Sequence, residues 1–197
     1  MPQDGQVPER SPTLRRPAVP SAVLAMLFVV CMEAMFFAGL LSAFLIVKAG
    51  IKPGMWPPPW QPRLPVEATA INTGVLVISG VLLLLAGLKA VRKDALASRS
   101  LYVVAAVLGA CFVAFQGFEW TQLLAQGLTL TSSNHGAFFY LIVGTHALHV
   151  VVGLMALWWG LRRLWRGVLT KPQLVAVQIF WTFVVGLWPV LYVLVYL

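Results

Sequence analysis

Residues 21–47 read SAVLAMLFVVCMEAMFFAGLLSAFLIV, and the only ionisable side chain in that stretch, apart from the thiol of Cys31, is Glu33. A bilayer core about 30 Å thick is crossed by roughly 20 apolar residues in helical form. This block is long enough to cross once. Four further blocks pass the same test, at about 69–91, 100–125, 136–161 and 173–197. They are continuously apolar, whereas the strands of a membrane barrel alternate over roughly ten residues, so the spans are read as helices. The expected fold is an all-α membrane protein, a bundle of five transmembrane helices over residues 21–197.

The composition agrees. Hydrophobic residues make up 60% of the chain and charged residues 10%, where a soluble domain has about 25% charged. The first block is too long for the apolar core of a cleavable leader and lacks a small-residue cleavage site at its end. Residues 1–20, MPQDGQVPERSPTLRRPAVP, are Pro-rich and polar and are expected to form a disordered cytoplasmic tail. Cys31 and Cys111 lie inside apolar blocks without metal-ligand spacing and are expected to be buried free thiols.

A net charge of +8 invites a nucleic-acid reading, but the placement of the charges opposes it. Arg10, Arg15 and Arg16 precede the first span. Lys89, Arg92, Lys93 and Arg99 surround the second loop, and Arg162, Arg163, Arg166 and Lys171 the fourth. Eleven of the fourteen basic residues thus fall on one side of the membrane. The positive-inside rule sets the N-terminus in the cytoplasm and the C-terminus on the periplasmic side. The basic loops read as topology signals and contacts for anionic lipid.

Ionisable groups within spans are informative, because one at a helix centre costs about 2.5–3.5 kcal/mol even on the lower scales. Glu33 shares a stripe with Phe37, Leu40 and Phe44 at helical spacing. It reads either as a hydrogen-bonded tie between helices or as a proton-handling group, and an isolated Glu does not separate the two. Phe112, Gln116 and Glu119 share a face of the third span, with Trp120 next to them. The two polar side chains are suited to hydrogen bonds across to another helix. His146, His149 and Gly153 recur on one face of the fourth span. Imidazoles ligate metal or haem; they also tie helices, here to groups such as Glu33, beside a glycine that admits a neighbouring backbone. A bis-histidine haem would need a histidine from a second helix, and the remaining one, His135, is expected in the third loop near the membrane edge. The stiff loop from Met55 to Pro62, MWPPPWQP, suits either a structured cover on the outer face or an aromatic anchor.

In order along the chain, these segments resemble one family. Glu33 to Leu40, EAMFFAGL, resembles the Glu-x-x-Phe-Phe-x-Gly run of subunit III of cytochrome c oxidase. Trp56-Pro57-Pro58, Pro65-Val66-Glu67, Asn72-Thr73 and Ser79-Gly80-Val81 resemble its Trp-Pro-Pro loop and Asn-Thr helix. Gln116 to Trp120 resembles its Gln-x-x-Glu-aromatic motif. Gly136-Ala137-Phe138-Phe139 and Gly144-Thr145-His146-Ala147-Leu148-His149-Val150 with Gly153 resemble its paired-histidine run, and Trp181, Phe183, Val184 and Trp188 its last-helix pattern. Three departures stand out. The two helices that open the seven-helix form have no counterpart, which implies the short five-helix bacterial form, its lipid cleft open or closed by another subunit. Val185 and Thr182 stand where an Asp and a His are usual, and Ala147 stands for Gly.

The resemblance implies a non-catalytic subunit in a bacterial inner membrane, beside catalytic subunit I and in complex with subunit II. Haem and copper are expected in subunit I and copper in subunit II, with no cofactor, metal or catalytic residue in this chain. It implies support of proton uptake during electron transport to oxygen, and bound phospholipid near Arg163 and its neighbour Arg162. It further implies that Glu33 is the family's intramembrane glutamate, and it admits membership of a larger respiratory supercomplex. A companion subunit of a quinol oxidase or nitric oxide reductase is the nearest alternative, and the Trp-Pro-Pro loop with its Asn-Thr helix favours the cytochrome c branch. A transporter or a stand-alone haem protein is the alternative of another class. No internal repeat and no pair of interrupted helices favour transport.

Overall fold

The computed structural model describes residues 19–52 and 55–197. Within them the chain forms five long helices: α1 (Ser21–Ala49), α2 (Val66–Val91), α3 (Ala95–Ala125), α4 (Asn134–Trp165) and α5 (Lys171–Leu191). The last runs on into a π-helical turn, Tyr192–Tyr196. All five are long and apolar enough to cross a membrane, so the chain is a multi-pass membrane protein. Of the tail expected at 1–20, all but Val19 and Pro20 lie outside the described residues.

Helices α2 to α5 begin earlier than their hydropathy blocks, because hydropathy marks the bilayer and capping marks the helix. Asp94 accepts from the Ala97 N–H at 3.2 Å and starts α3 at residue 95. Ser133 accepts from the Gly136 N–H at 3.1 Å and starts α4 at 134. Gln173 accepts from the Thr170 N–H at 3.1 Å and fixes the entry to α5. The 31 residues of α3 make a rod of roughly 46 Å at about 1.5 Å per residue, longer than the hydrocarbon core. The early start of α4 corrects the placement of His135, which sits in the first helical turn and is 3% exposed rather than on an open loop.

The bundle is built around α5, which packs on α1, α2 and α4, while α2 and α3 form a tight antiparallel hairpin. Small residues permit the closeness. Ser79 donates to the Ala105 carbonyl at 2.7 Å, and Ser98 to that of Ala86 at 2.9 Å, each across the hairpin. Trp181 is the wedge. A Cβ at Gly109 on α3 would stand 2.6 Å from its ring and one at Gly153 on α4 2.8 Å, while its indole N–H donates to Ser79 on α2 at 3.1 Å. One fully buried side chain thus touches three other helices. What Gly153 admits is therefore this ring, where the sequence reading expected a neighbouring backbone.

At the edge of the bundle, α1 is mostly exposed, with Phe37 and Phe44 as its buried residues. Cys31 and Cys111 are free but exposed, which corrects the expectation of burial. In a membrane protein an apolar residue facing outward still leaves water, so hydropathy cannot tell a lipid-facing thiol from a core one.

Candidate functional site

Two polar clusters lie within the spans. The first joins α2, α3 and the C-terminal turn. Glu119, 3% exposed, accepts through one carboxyl oxygen from the Thr69 hydroxyl at 3.0 Å and from the Gln116 amide at 2.9 Å. The Gln116 amide also lies 3.2 Å from the Tyr196 hydroxyl. Asn72 completes the group by donating to the Phe112 carbonyl at 3.2 Å and to the Gln116 side-chain oxygen at 3.5 Å. Phe112, Gln116 and Glu119 are indeed on one face. Their partners Thr69, Asn72 and Tyr196 were missed as site residues, although Asn72, an amide within the second apolar block, lay in a quoted motif and was the one signal available. The second Glu119 oxygen is buried without a hydrogen-bond partner.

The second cluster joins α1 and α4. The Glu33 carboxylate oxygen lies 2.9 Å from Nε2 of His149, and Nδ1 of that ring lies 2.8 Å from the Thr145 carbonyl on its own helix. A carbonyl only accepts, so Nδ1 carries hydrogen. A hydrogen bond across this contact needs one proton, on Nε2 or on the carboxyl group. Either way the pair is neutral overall, the form a membrane tolerates. The other ring nitrogen is committed to a backbone carbonyl one turn away on the same helix. Side-chain exposure is 29% for Glu33 and 15% for His149, so the contact lies at the rim of the bundle.

The structure separates the two histidines. His146 is 1% exposed, stacked on Trp188 with centroids 5.0 Å apart, and neither ring nitrogen has a hydrogen-bond partner. It does not reach Glu33. Trp188 donates to Thr73 at 2.8 Å and packs edge-on against Phe112 at 5.2 Å. His146, Trp188, Gln116 and Trp120 also border a cavity of about 130 Å³ whose walls are otherwise apolar. Among the described residues no three His, Cys, Asp or Glu side chains come together as a metal-ligand group.

At the other end of α4, Arg162 lies over Trp158 and Arg163 over Trp159, each 5.1 Å from the ring centre, and Arg163 also donates to the Val168 carbonyl at 3.3 Å. Tryptophan beneath arginine at a helix end suits a membrane interface. The Pro-rich loop packs inward: Trp56 stands edge-on to Phe44 at 5.7 Å and to His135 at 5.1 Å, and Gln61 accepts from Ser132 at 3.4 Å. Loops one and three are thereby joined. On α5, Val185 is buried against Gly80, where an added Cβ would meet it at 2.9 Å. The position where the resemblance implies an acid is thus filled by packing.

Comparison with known proteins is consistent along the chain. The family described as Cytochrome c oxidase subunit III matches residues 18–197. A probable cytochrome c oxidase subunit 3 of Mycobacterium leprae is 35% identical over 167 residues, which cover 83% of this chain and 81% of that protein. A cytochrome c oxidase subunit 3 of Corynebacterium diphtheriae is 31% identical over 198 residues, covering 98% and 95%. One from Synechocystis is 32% identical over 173 residues, covering 84% and 70%.

Proposed function

The chain belongs to the cytochrome c oxidase subunit III family, and from that premise we propose that it is the non-catalytic third subunit of an aerobic terminal oxidase. It packs beside subunit I, which holds haem and copper, in a complex with subunit II, which holds copper. It lies in a bacterial inner membrane with its N-terminus and basic loops in the cytoplasm and its C-terminus on the periplasmic side. Residues 21–197 are the membrane unit and 1–20 a cytoplasmic tail. The carrying observation is that the strongest polar groups within the spans tie helix to helix: Glu119 binds Thr69 of α2, and Glu33 binds His149 of α4. A chain so arranged holds its shape and offers a fixed surface to a neighbour.

On this reading the subunit stabilises subunit I and supports its proton uptake by keeping the shared face in place, while Arg162 and Arg163 hold phospholipid at the cytoplasmic edge. Assembly into a larger respiratory supercomplex extends the same packing role. The test is purification of the tagged chain in mild detergent. Haem–copper subunits are expected to accompany it, with oxygen reduction and a Soret band in the complex and neither in the chain stripped of its partners. A Soret band kept by the chain alone overturns the proposal.

A further inference from the structure

At the end of the bundle opposite the basic loops, a cavity of about 280 Å³ opens between the end of α1, loop one, the start of α4 and the C-terminal turn. Lys48 and Arg63 line it, together with Trp56, Leu64, His135 and Tyr196. This end of the bundle carries few cations: Lys48 in the last turn of α1 and Lys52 and Arg63 in loop one. Two of the three converge on one hollow. No side-chain carboxylate lines it, and among the described residues neither Lys48 nor Arg63 has a carboxylate within 4.0 Å, that of Leu197 at the rim included. The Leu197 carboxylate at the rim is the one counter-charge bordering the hollow and pairs with neither cation, so an anion seated between them would relieve their repulsion.

Two independent features point the same way. His135, 3% exposed and in the wall of the cavity, has no hydrogen-bond partner on either ring nitrogen. A buried polar group left unpaired costs about 1–3 kcal/mol, and the oxygens of an anion would accept from it. The same wall is the first turn of α4, a helix of 32 residues whose N-terminus carries partial positive charge. We propose that this cavity binds a phosphate group, held by Lys48 and Arg63 with His135 behind them. Trp56 and Leu64 supply an apolar flank suited to the carbon portion of a phosphodiester. The site is separate from Arg162 and Arg163, at the opposite end of the bundle, and it does not depend on the oxidase reading.

The experiment uses the full chain purified with whatever partners accompany it, and a photoreactive phosphatidylglycerol whose crosslinks are mapped by mass spectrometry. In the native protein, crosslinks are expected in loop one and the first turns of α4. Each of K48Q and R63Q should lower their yield about tenfold, the size expected for loss of one charge-assisted hydrogen bond, and the double substitution K48Q/R63Q further still. K52Q removes the same charge from the same loop without lining the cavity and should leave the yield unchanged. Crosslinks near Arg163 serve as the internal reference for a folded chain. Should the double variant not assemble, K48Q and R63Q alone carry the test. Competition by inorganic phosphate identifies a site that accepts free oxyanions; failure to compete identifies one that needs the lipid. Equal loss in K52Q, an unchanged yield in K48Q/R63Q, or no crosslink in the native protein overturns the proposal.

Discussion

Glu119 and Glu33 are both carboxyl groups within spans, yet they occupy opposite situations. Glu119 sits inside the α2–α3 hairpin, 3% exposed, with Thr69 and Gln116 on one oxygen and no hydrogen-bond partner on the other. Glu33 sits at the rim, its side chain 29% exposed, with His149 of α4 as its partner, beside edge-on contacts of Phe37 with His149 and of Phe44 with Phe138. The difference lies in what surrounds the tie. Around Glu119 the buried side chains of Thr69, Asn72, Gln116 and Tyr196 are interlinked, so the carboxyl completes a rigid corner. Around Glu33 the rings of Phe37 and Phe44 already join α1 to α4, and the polar contact adds to them at the exposed edge. Core and rim should therefore respond differently to the same kind of change.

The largest response is expected at the wedge. Trp181→Ala opens a cavity among α2, α3, α4 and α5 and frees the Ser79 hydroxyl, and core Trp→Ala changes cost about 3–5 kcal/mol. Thermal or denaturant unfolding in detergent should show that loss. A loss below about 1 kcal/mol would mean that the hairpin packs without its wedge. Next comes Glu119→Ala, which strands the Thr69 hydroxyl at a buried position and leaves the Gln116 amide with Tyr196 alone, for a loss on the order of 2 kcal/mol. Glu33→Ala, measured alongside, should cost well under half as much, because its histidine is at the rim. Equal losses would erase the distinction between core and rim.

The sequence carried the architecture further than it carried the contacts. Five spans were legible because hydrocarbon thickness imposes a length, and Gln116 with Glu119 were legible as helix ties because polar groups in a span must face protein. Their partners were not, since nothing at Thr69 or Tyr196 distinguishes a residue facing α3 from one facing lipid. Likewise His146 and His149, three residues apart, share a face by spacing. The helix still turns them far enough that one stacks under Trp188 and the other meets Glu33. His135 was misplaced because hydropathy ends where polar residues begin, while the Ser133 cap carries the helix past that point. The thiols of Cys31 and Cys111 show the remaining blind spot: inward and outward apolar faces read alike when the solvent is lipid.

The smallest effect is expected where the chemistry looks most suggestive. Glu33→Gln keeps a side chain of the same length with both a donor and an acceptor, so it can still meet Nε2 of His149 whichever form the ring takes. Its stability cost should not exceed about 0.6 kcal/mol, the average worth of such a bond in membrane helices. A double-mutant cycle with His149→Ala should return a coupling of similar size. Assembly, oxygen consumption and proton pumping of the complex are expected to persist, because the amide keeps the tie and His149 keeps its other nitrogen bound to the Thr145 carbonyl. Pumping that decays over repeated turnovers in an assembled Glu33→Gln complex would contradict this. It would show that the proton held between these two groups is mobile, and that the rim of the bundle, rather than its core, is where this subunit touches the chemistry of its neighbour.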